Sequence, residues 1–236
     1  MIVLGIETST PQTSVALGNE GGILAASLVS ADRTRREMVI PALQDILRRT
    51  GIRLEQTGGI AVGIGPGLFT SLRVGVETAK SLAQVLHVPI IGLPSLDVLA
   101  FSVRFARRPI AAVIDARRGE VFHCLYRPTP GGVSRVGEFA VSPPGRLLAD
   151  IEALGEEVLA VGNGATLYRR ELEKLGSRVE FAPYSHRHPD AASLIELALP
   201  RFEREENDRL YDVVPLYLRK SDAEIAWDRR EASGQA

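Results

Sequence analysis

Cysteine is almost missing from this 236-residue chain. Cys124 stands alone, which excludes an internal disulfide framework and any multi-thiolate metal centre. An excess of either charge is also missing: 28 Lys and Arg face 29 Asp and Glu, a formal net charge of −1. No broad basic field therefore awaits nucleic acid, and contact with RNA is expected through a partner or a small local patch. Nor does the chain hold an apolar run near the roughly 18 residues that a membrane span needs. With no cationic leader-like segment either, a soluble cytoplasmic protein is expected, with no membrane contact. Histidine is scarce, at positions 87, 123, 186 and 188. No His-x-x-x-His, Ser–His–Asp series or paired-acid pattern stands out, so no metal site is expected.

What remains is ample material for a core. The apolar fraction is 45%, spread along the whole chain, which excludes global disorder and fits one or two domains. Ile2–Ile6, Thr13–Leu17 and Ile23–Val29 read as three successive strands, with Asn19-Glu20-Gly21-Gly22 as a turn. A helical pattern from about 33 to 50 ends at Gly51, a helix over 70–87 follows a strand at Gly59–Gly63, and Pro89–Gly92 leads to a helix near Ser95–Ala106. The second half restarts with strands at Ile110–Ile114, Val121–Tyr126 and Val133–Val141. Beyond them come a helix near Pro144–Ala153, a strand at Val158–Val161, a helix near Ala165–Leu175 and a long one over 190–205 interrupted by Pro200. This repeated three-strand-plus-helix pattern predicts two related α/β lobes, one of residues 1–103 plus about 188–227 and one, smaller, of residues 104–187. The polar tail 228–236 is expected to fray.

The densest chemical signal is Gly63-Ile64-Gly65-Pro66-Gly67-Leu68-Phe69-Thr70-Ser71-Leu72-Arg73, between a predicted strand and a predicted helix. Its glycines permit close backbone approach, and the helix start could face an anion. It matches neither the P-loop nor the dinucleotide fingerprint, so phosphate binding and plain packing both stay open. The hydroxyl-rich turn Thr8-Ser9-Thr10 follows the first strand at Glu7, where actin-like ATPases and sugar kinases hold phosphate. Here the turn continues Pro11-Gln12, without a backbone N–H at Pro11 or a charge for a metal at Gln12, which supports a Mg²⁺–nucleotide site poorly. Asp115 and Glu120 flank a second turn whose Arg117 and Arg118 are the expected partners. His186 and His188 read as a solvated loop, and His87 as a surface or capping residue.

Two helices carry more apolar surface than a sheet requires. Met38, Val39, Ile40, Ala42, Leu43, Ile46 and Leu47 fill roughly 200° of the first, and Leu72, Val74, Val76, Ala79, Leu82, Ala83, Val85 and Leu86 a similar arc of the second, against about 100° for an ordinary surface helix. Packing of the helices on each other and a partner interface are the two readings.

At these residues the chain resembles the TsaB (YeaZ) family, a subunit of the bacterial machinery that installs threonylcarbamoyl on N6 of adenosine 37 of tRNA. The resemblance rests on Ile6-Glu7-Thr8-Ser9 with Thr13-Ser14-Val15-Ala16, on Gly65 to Gly75, on Asp115-Ala116-Arg117-Arg118-Gly119-Glu120-Val121-Phe122, and on Pro215-Leu216-Tyr217-Leu218-Arg219. It spans nearly the whole chain. Ser71 departs from the usual Gly, Phe122 from Tyr and Arg35 from a frequent His. The resemblance implies an actin-like (ASKHA, ribonuclease-H-like) two-lobe fold and a non-catalytic subunit, without cofactor, that binds and activates the catalytic paralogue TsaD. It also implies the ATPase TsaE as a further component, tRNA contact only through the complex, and a homodimer when the chain is alone. TsaD-like chains carry an acidic pair where this chain has Pro11-Gln12, and two metal-binding histidines four apart within the segment that here reads Ser95 to Leu99. Leu99 has no donor atom, so that metal site is not expected here. Met38, Ile40, Ala42, Leu72, Arg73, Val74 and Val76 are the expected partner contacts, and Thr8, Ser9, Gly65, Gly67 and Thr70 a vestigial phosphate loop. The alternatives are an active actin-like ATPase or kinase, and a metallopeptidase-like protein.

Overall fold

The computed structural model describes residues 1–30 and 38–219. Its first half runs β1 (Ile2–Glu7), β2 (Gln12–Asn19), β3 (Gly22–Ser30), α1 (Val39–Thr50), β4 (Thr57–Gly63), α2 (Phe69–Leu86), β5 (Ile90–Leu93) and α3 (Ser95–Phe101). The second half repeats the theme with β6 (Ile110–Arg117), β7 (Glu120–Thr129), β8 (Gly132–Ser142), α4 (Pro144–Leu154), β9 (Val158–Val161), α5 (Asn163–Leu167), α6 (Arg169–Leu172), β10 (Val179–Phe181) and α7 (Ala191–Glu203).

Two five-stranded sheets result, ordered β3-β2-β1-β4-β5 and β8-β7-β6-β9-β10. In each, three antiparallel strands are followed by two parallel ones, so the second sheet repeats the first strand for strand. Period-2 alternation explains how the first sheet is covered on both faces. Leu4, Ile6, Val15, Leu17, Ile60 and Val62 face α1 and α2, whereas Val3, Ala16, Ala61 and Ile91 face α7. Each such Leu, Ile or Val contributes about 1.5–3 kcal/mol relative to exposure. Helix α3 joins the halves, since Val98 enters the α7-side core while Leu96, Leu99 and Ala100 enter that of the second sheet.

Helix α1 stops where expected, at Gly51 in the left-handed region. The start of the predicted 33–50 helix, Arg35 and the tail 228–236 lie outside the described residues. Four expectations are corrected. Helix α3 ends at Phe101 rather than near 106. The helix expected near 165–175 breaks at Tyr168 into α5, α6 and a 3-10 segment. Strand β10 has no counterpart in the sequence reading. Helix α7 runs through Pro200, because the carbonyl that loses its N–H donor there belongs to exposed Glu196.

Candidate functional site

Strand β1 delivers Glu7 to the centre of the molecule and releases the chain into Thr8-Ser9-Thr10, all buried. The glycine motif does not stand apart from that turn. Leu68 N–H donates to the Ser9 carbonyl at 2.7 Å, and a Cβ on Gly67 would sit 2.2 Å from the same oxygen. One turn later Thr8 Oγ1 donates to the Ser71 carbonyl at 2.9 Å, and a Cβ on Gly75 would fall 2.1 Å from Thr8 Oγ1. The glycines therefore let α2 close onto the β1–β2 turn. The N–H of Leu68, the N-cap of α2, is spent on the chain's own carbonyl. Thr70 is exposed on the first turn of α2, and Gly65 is buried, its N–H donating to Ser95 Oγ at 3.2 Å. Of the residues expected to form a vestigial phosphate loop, Thr8, Ser9, Gly65 and Gly67 make these contacts within the chain.

Glu7 is fully enclosed, and among the described residues no cation stands beside it. Its carboxylate accepts from Ser9 N–H at 2.7 Å and Ser95 Oγ at 2.9 Å, and burial pushes its pKa above the usual carboxylate range. Ser95 in turn donates its backbone N–H to the Gly65 carbonyl at 2.7 Å, which ties the start of α3 to both turns. Leu99 lies wholly within the second sheet's core. Among the described residues, no three His, Cys, Asp or Glu side chains come together as a metal site.

Across from this, the β6–β7 hairpin holds three successive residues in the left-handed region, Arg117, Arg118 and Gly119. Arg117 pairs with Asp115 at 3.2 Å, as expected, and Glu120 reaches Arg219 at 2.9 Å. Arg219 belongs to a strap in which Leu216 N–H donates to the Ile64 carbonyl at 2.7 Å and Leu218 packs on the second sheet's core. The histidine loop is a correction. His186 and His188 are half-buried, bonded to Ser102 Oγ at 3.3 Å and Thr10 Oγ1 at 3.0 Å. Burial, with Arg187 nearby, lowers His188 to about 4. His87 is exposed and caps α2, as expected.

The two helices lie on one face of the first sheet, within a single core. Of the residues nominated for a partner, Ala42, Leu72 and Val76 belong to that core, with Val76 0% exposed. They are corrected to core residues: each falls on the stripe of its helix that the sheet covers, Ala42 with Val39, Leu43 and Ile46 on α1, and Leu72 and Val76 with Ala79 and Ala83 on α2. Ile40 is 47% exposed, Arg73 is exposed, and Met38 and Val74 are half-buried. Val85, further along α2, is 74% exposed. The structure adds a group that periodicity missed. Phe69 stacks on Tyr217 with ring centroids 4.5 Å apart, and the Arg73 guanidinium lies 5.0 Å from the Phe69 ring centre. Only the Pro215–Arg219 motif hinted at Tyr217, and nothing local to it named its partner.

The architecture and its residues have known counterparts. A family model described as "TsaD: tRNA N6-adenosine threonylcarbamoyltransferase" matches residues 17–227. The tRNA threonylcarbamoyladenosine biosynthesis protein TsaB of Bacillus subtilis is 32% identical over 231 residues, 96% of this chain and 98% of that one. A crystal structure of a Pseudomonas aeruginosa protein with similarity to peptidase YeaZ superposes with a TM-score of 0.78 at 29% identity, covering 92% of this chain and 99% of that one. The activator of the 2-hydroxyisocaproyl-CoA dehydratase from Clostridium difficile shares the fold alone, with a TM-score of 0.51 at 12% identity over 87% of this chain and 96% of that one. The fold is accordingly the actin-like two-lobe one. Built on the scaffold of the TsaD-like family, the chain belongs to the TsaB (YeaZ) family of tRNA threonylcarbamoyladenosine biosynthesis proteins.

Proposed function

We propose that this chain is a non-catalytic subunit of the threonylcarbamoyl-transfer machinery, which binds its catalytic paralogue TsaD through the accessible edges of α1 and α2. The single observation that carries the reading is the closure of the β1–β2 turn on the glycine motif, with Leu68 N–H on the Ser9 carbonyl and Ser95 Oγ on Glu7. Thr8 Oγ1, the Glu7 carboxylate and Ser95 Oγ, which an ATPase would aim at phosphate or metal, are bonded within the chain instead. The surface supports the other half. Met38, Ile40, Arg73 and Val74 remain accessible beside buried neighbours on the same two helices. Binding to one state of TsaD stabilises that state by mass action, which is how a subunit without a reacting centre activates another. TsaE and tRNA join through the TsaD complex, and in the absence of TsaD the same edges pair two copies of this chain.

The test is co-purification with TsaD. Val74→Glu places a charge in the proposed interface and is expected to abolish pairing while the far-UV circular dichroism spectrum stays unchanged. Retained pairing by both Val74→Glu and Met38→Glu would refute this interface. ATP turnover by the chain alone would refute the non-catalytic reading.

A further inference from the structure

We infer that the small pocket at the carboxyl ends of β9 and β10 is an oxyanion site with Arg187 as its anchor. In open α/β sheets this end of the strands is where ligands settle. The walls include Thr166, Arg169, Phe181, Tyr184, His186 and Arg187, and no carboxylate lines them. The two guanidiniums differ. Arg169 donates its Nε–H to Glu173 at 2.7 Å while lying 4.3 Å over the Phe181 ring. Arg187 makes no ion pair among the described residues, its guanidinium is 5.3 Å from the Tyr184 ring centre, and its Nε is buried without a hydrogen-bond partner.

A half-buried guanidinium without a counter-charge, and with one N–H orphaned, is an unfavourable arrangement unless something accepts from it. The aromatic face offsets only a part of that. Arg169 and His186, the latter held by Ser102 Oγ at 3.3 Å, line the same pocket. After burial, the Arg187 charge contributes to the low pKa of His188 beside it. A cavity of about 20 Å³ admits one water-sized group, so a single oxygen enters and the rest of the ligand stays outside. Phosphate suits this: its oxygens meet the accessible N–H groups of the Arg187 fork, the two-point geometry at which Arg surpasses Lys. This pocket involves none of the α1 and α2 residues, and the inference stands or falls apart from the TsaD reading.

Amide chemical shifts of the full chain, followed during separate titrations with inorganic phosphate, AMP and acetate, provide the test. Saturable shifts at Thr166 and Ala182 with Kd on the order of 1 mM for phosphate are expected, the scale of a few charge-assisted hydrogen bonds. Tighter binding of AMP identifies a nucleotide phosphate as the source, equal binding identifies free phosphate, and acetate should bind more weakly than either. Arg187→Gln is expected to weaken phosphate by about tenfold or more. Arg187→Lys keeps the charge but not the fork, and should lose several-fold; should Arg187→Gln fail to fold, this variant decides. Shifts that do not saturate, that centre elsewhere, or that persist unchanged in these variants would overturn the site and leave a bound water as the partner of Nε.

Discussion

Replacing Gly75 by Ala probes the contact between α2 and the β1–β2 turn, because two effects of opposite sign compete there. Within a helix, Gly→Ala ordinarily stabilises by about 1 kcal/mol. Here the new methyl would lie 2.1 Å from Thr8 Oγ1, 3.0 Å from its Cγ2 and 3.1 Å from its Cβ. Thr8 cannot swing aside freely, since its hydroxyl is bonded to the Ser71 carbonyl and the residue is buried. Overpacking of this kind costs about 1–3 kcal/mol, and the strained hydrogen bond about 1 more. The expected net is a loss of about 1–3 kcal/mol, read as a lower urea midpoint and a fall in Tm of roughly 3–10 °C for a chain of this size. Thr8→Ala removes the two colliding atoms, so Thr8→Ala/Gly75→Ala should be no worse than Thr8→Ala alone. The cycle would then show a favourable coupling of at least about 1–3 kcal/mol, the whole of the Gly75→Ala loss. A stabilised Gly75→Ala protein, or additive single effects, would refute the seating of α2 on Thr8.

Three further outcomes are expected. Val76→Glu buries a charge beneath α2 where Val76 has no exposure, and should unfold the protein, whereas Val74→Glu should lower the unfolding free energy from urea titration by less than about 1 kcal/mol. His188 is held neutral: folded it titrates at about 4, against about 6.5 unfolded, so its contribution is present above 6.5 and is lost as pH falls from about 6.5 to about 4. After allowance for its partial exposure that is about 1–2 kcal/mol, and His188→Asn should flatten this part of the stability–pH curve. Glu7 has the opposite sign, because a carboxyl raised by burial favours the fold below its unfolded pKa near 4.5 and loses that as pH rises through the folded value. Glu7→Gln, which keeps an acceptor for Ser9 N–H, should therefore remove a downward slope above pH 4.5, and a difference curve without that slope would refute the enclosed carboxylate.

The fold was legible where one periodicity ruled a segment. The apolar run Ile2–Ile6 and its repeat Ile110–Ile114 announced the two central strands, and the recurrence of pattern announced the matching sheets. Val179–Phe181 is three residues long, too short for alternation to show, and Tyr168 breaks a helix without a Gly or Pro to mark it. In the candidate site the glycine motif was visible, but its purpose was not. Whether Gly67 makes room for a phosphate or for Ser9 depends on where the β1–β2 turn comes to rest. Likewise the wide apolar arcs of α1 and α2 merged a sheet-facing stripe with an accessible edge, so Ala42, Leu72 and Val76 read like Ile40 and Val74. Phe69 and Tyr217, far apart in sequence, meet only once the strap crosses beside α2.

The most direct measurement reconstitutes tRNA threonylcarbamoylation with TsaD, TsaE and the threonylcarbamoyl-adenylate donor, with and without this chain. Modification should require the wild-type chain, fail with Val74→Glu, and return when the concentration of that variant is raised far enough to restore pairing. Undiminished modification with the chain omitted would contradict the account, as would Val74→Glu supporting it at wild-type concentrations.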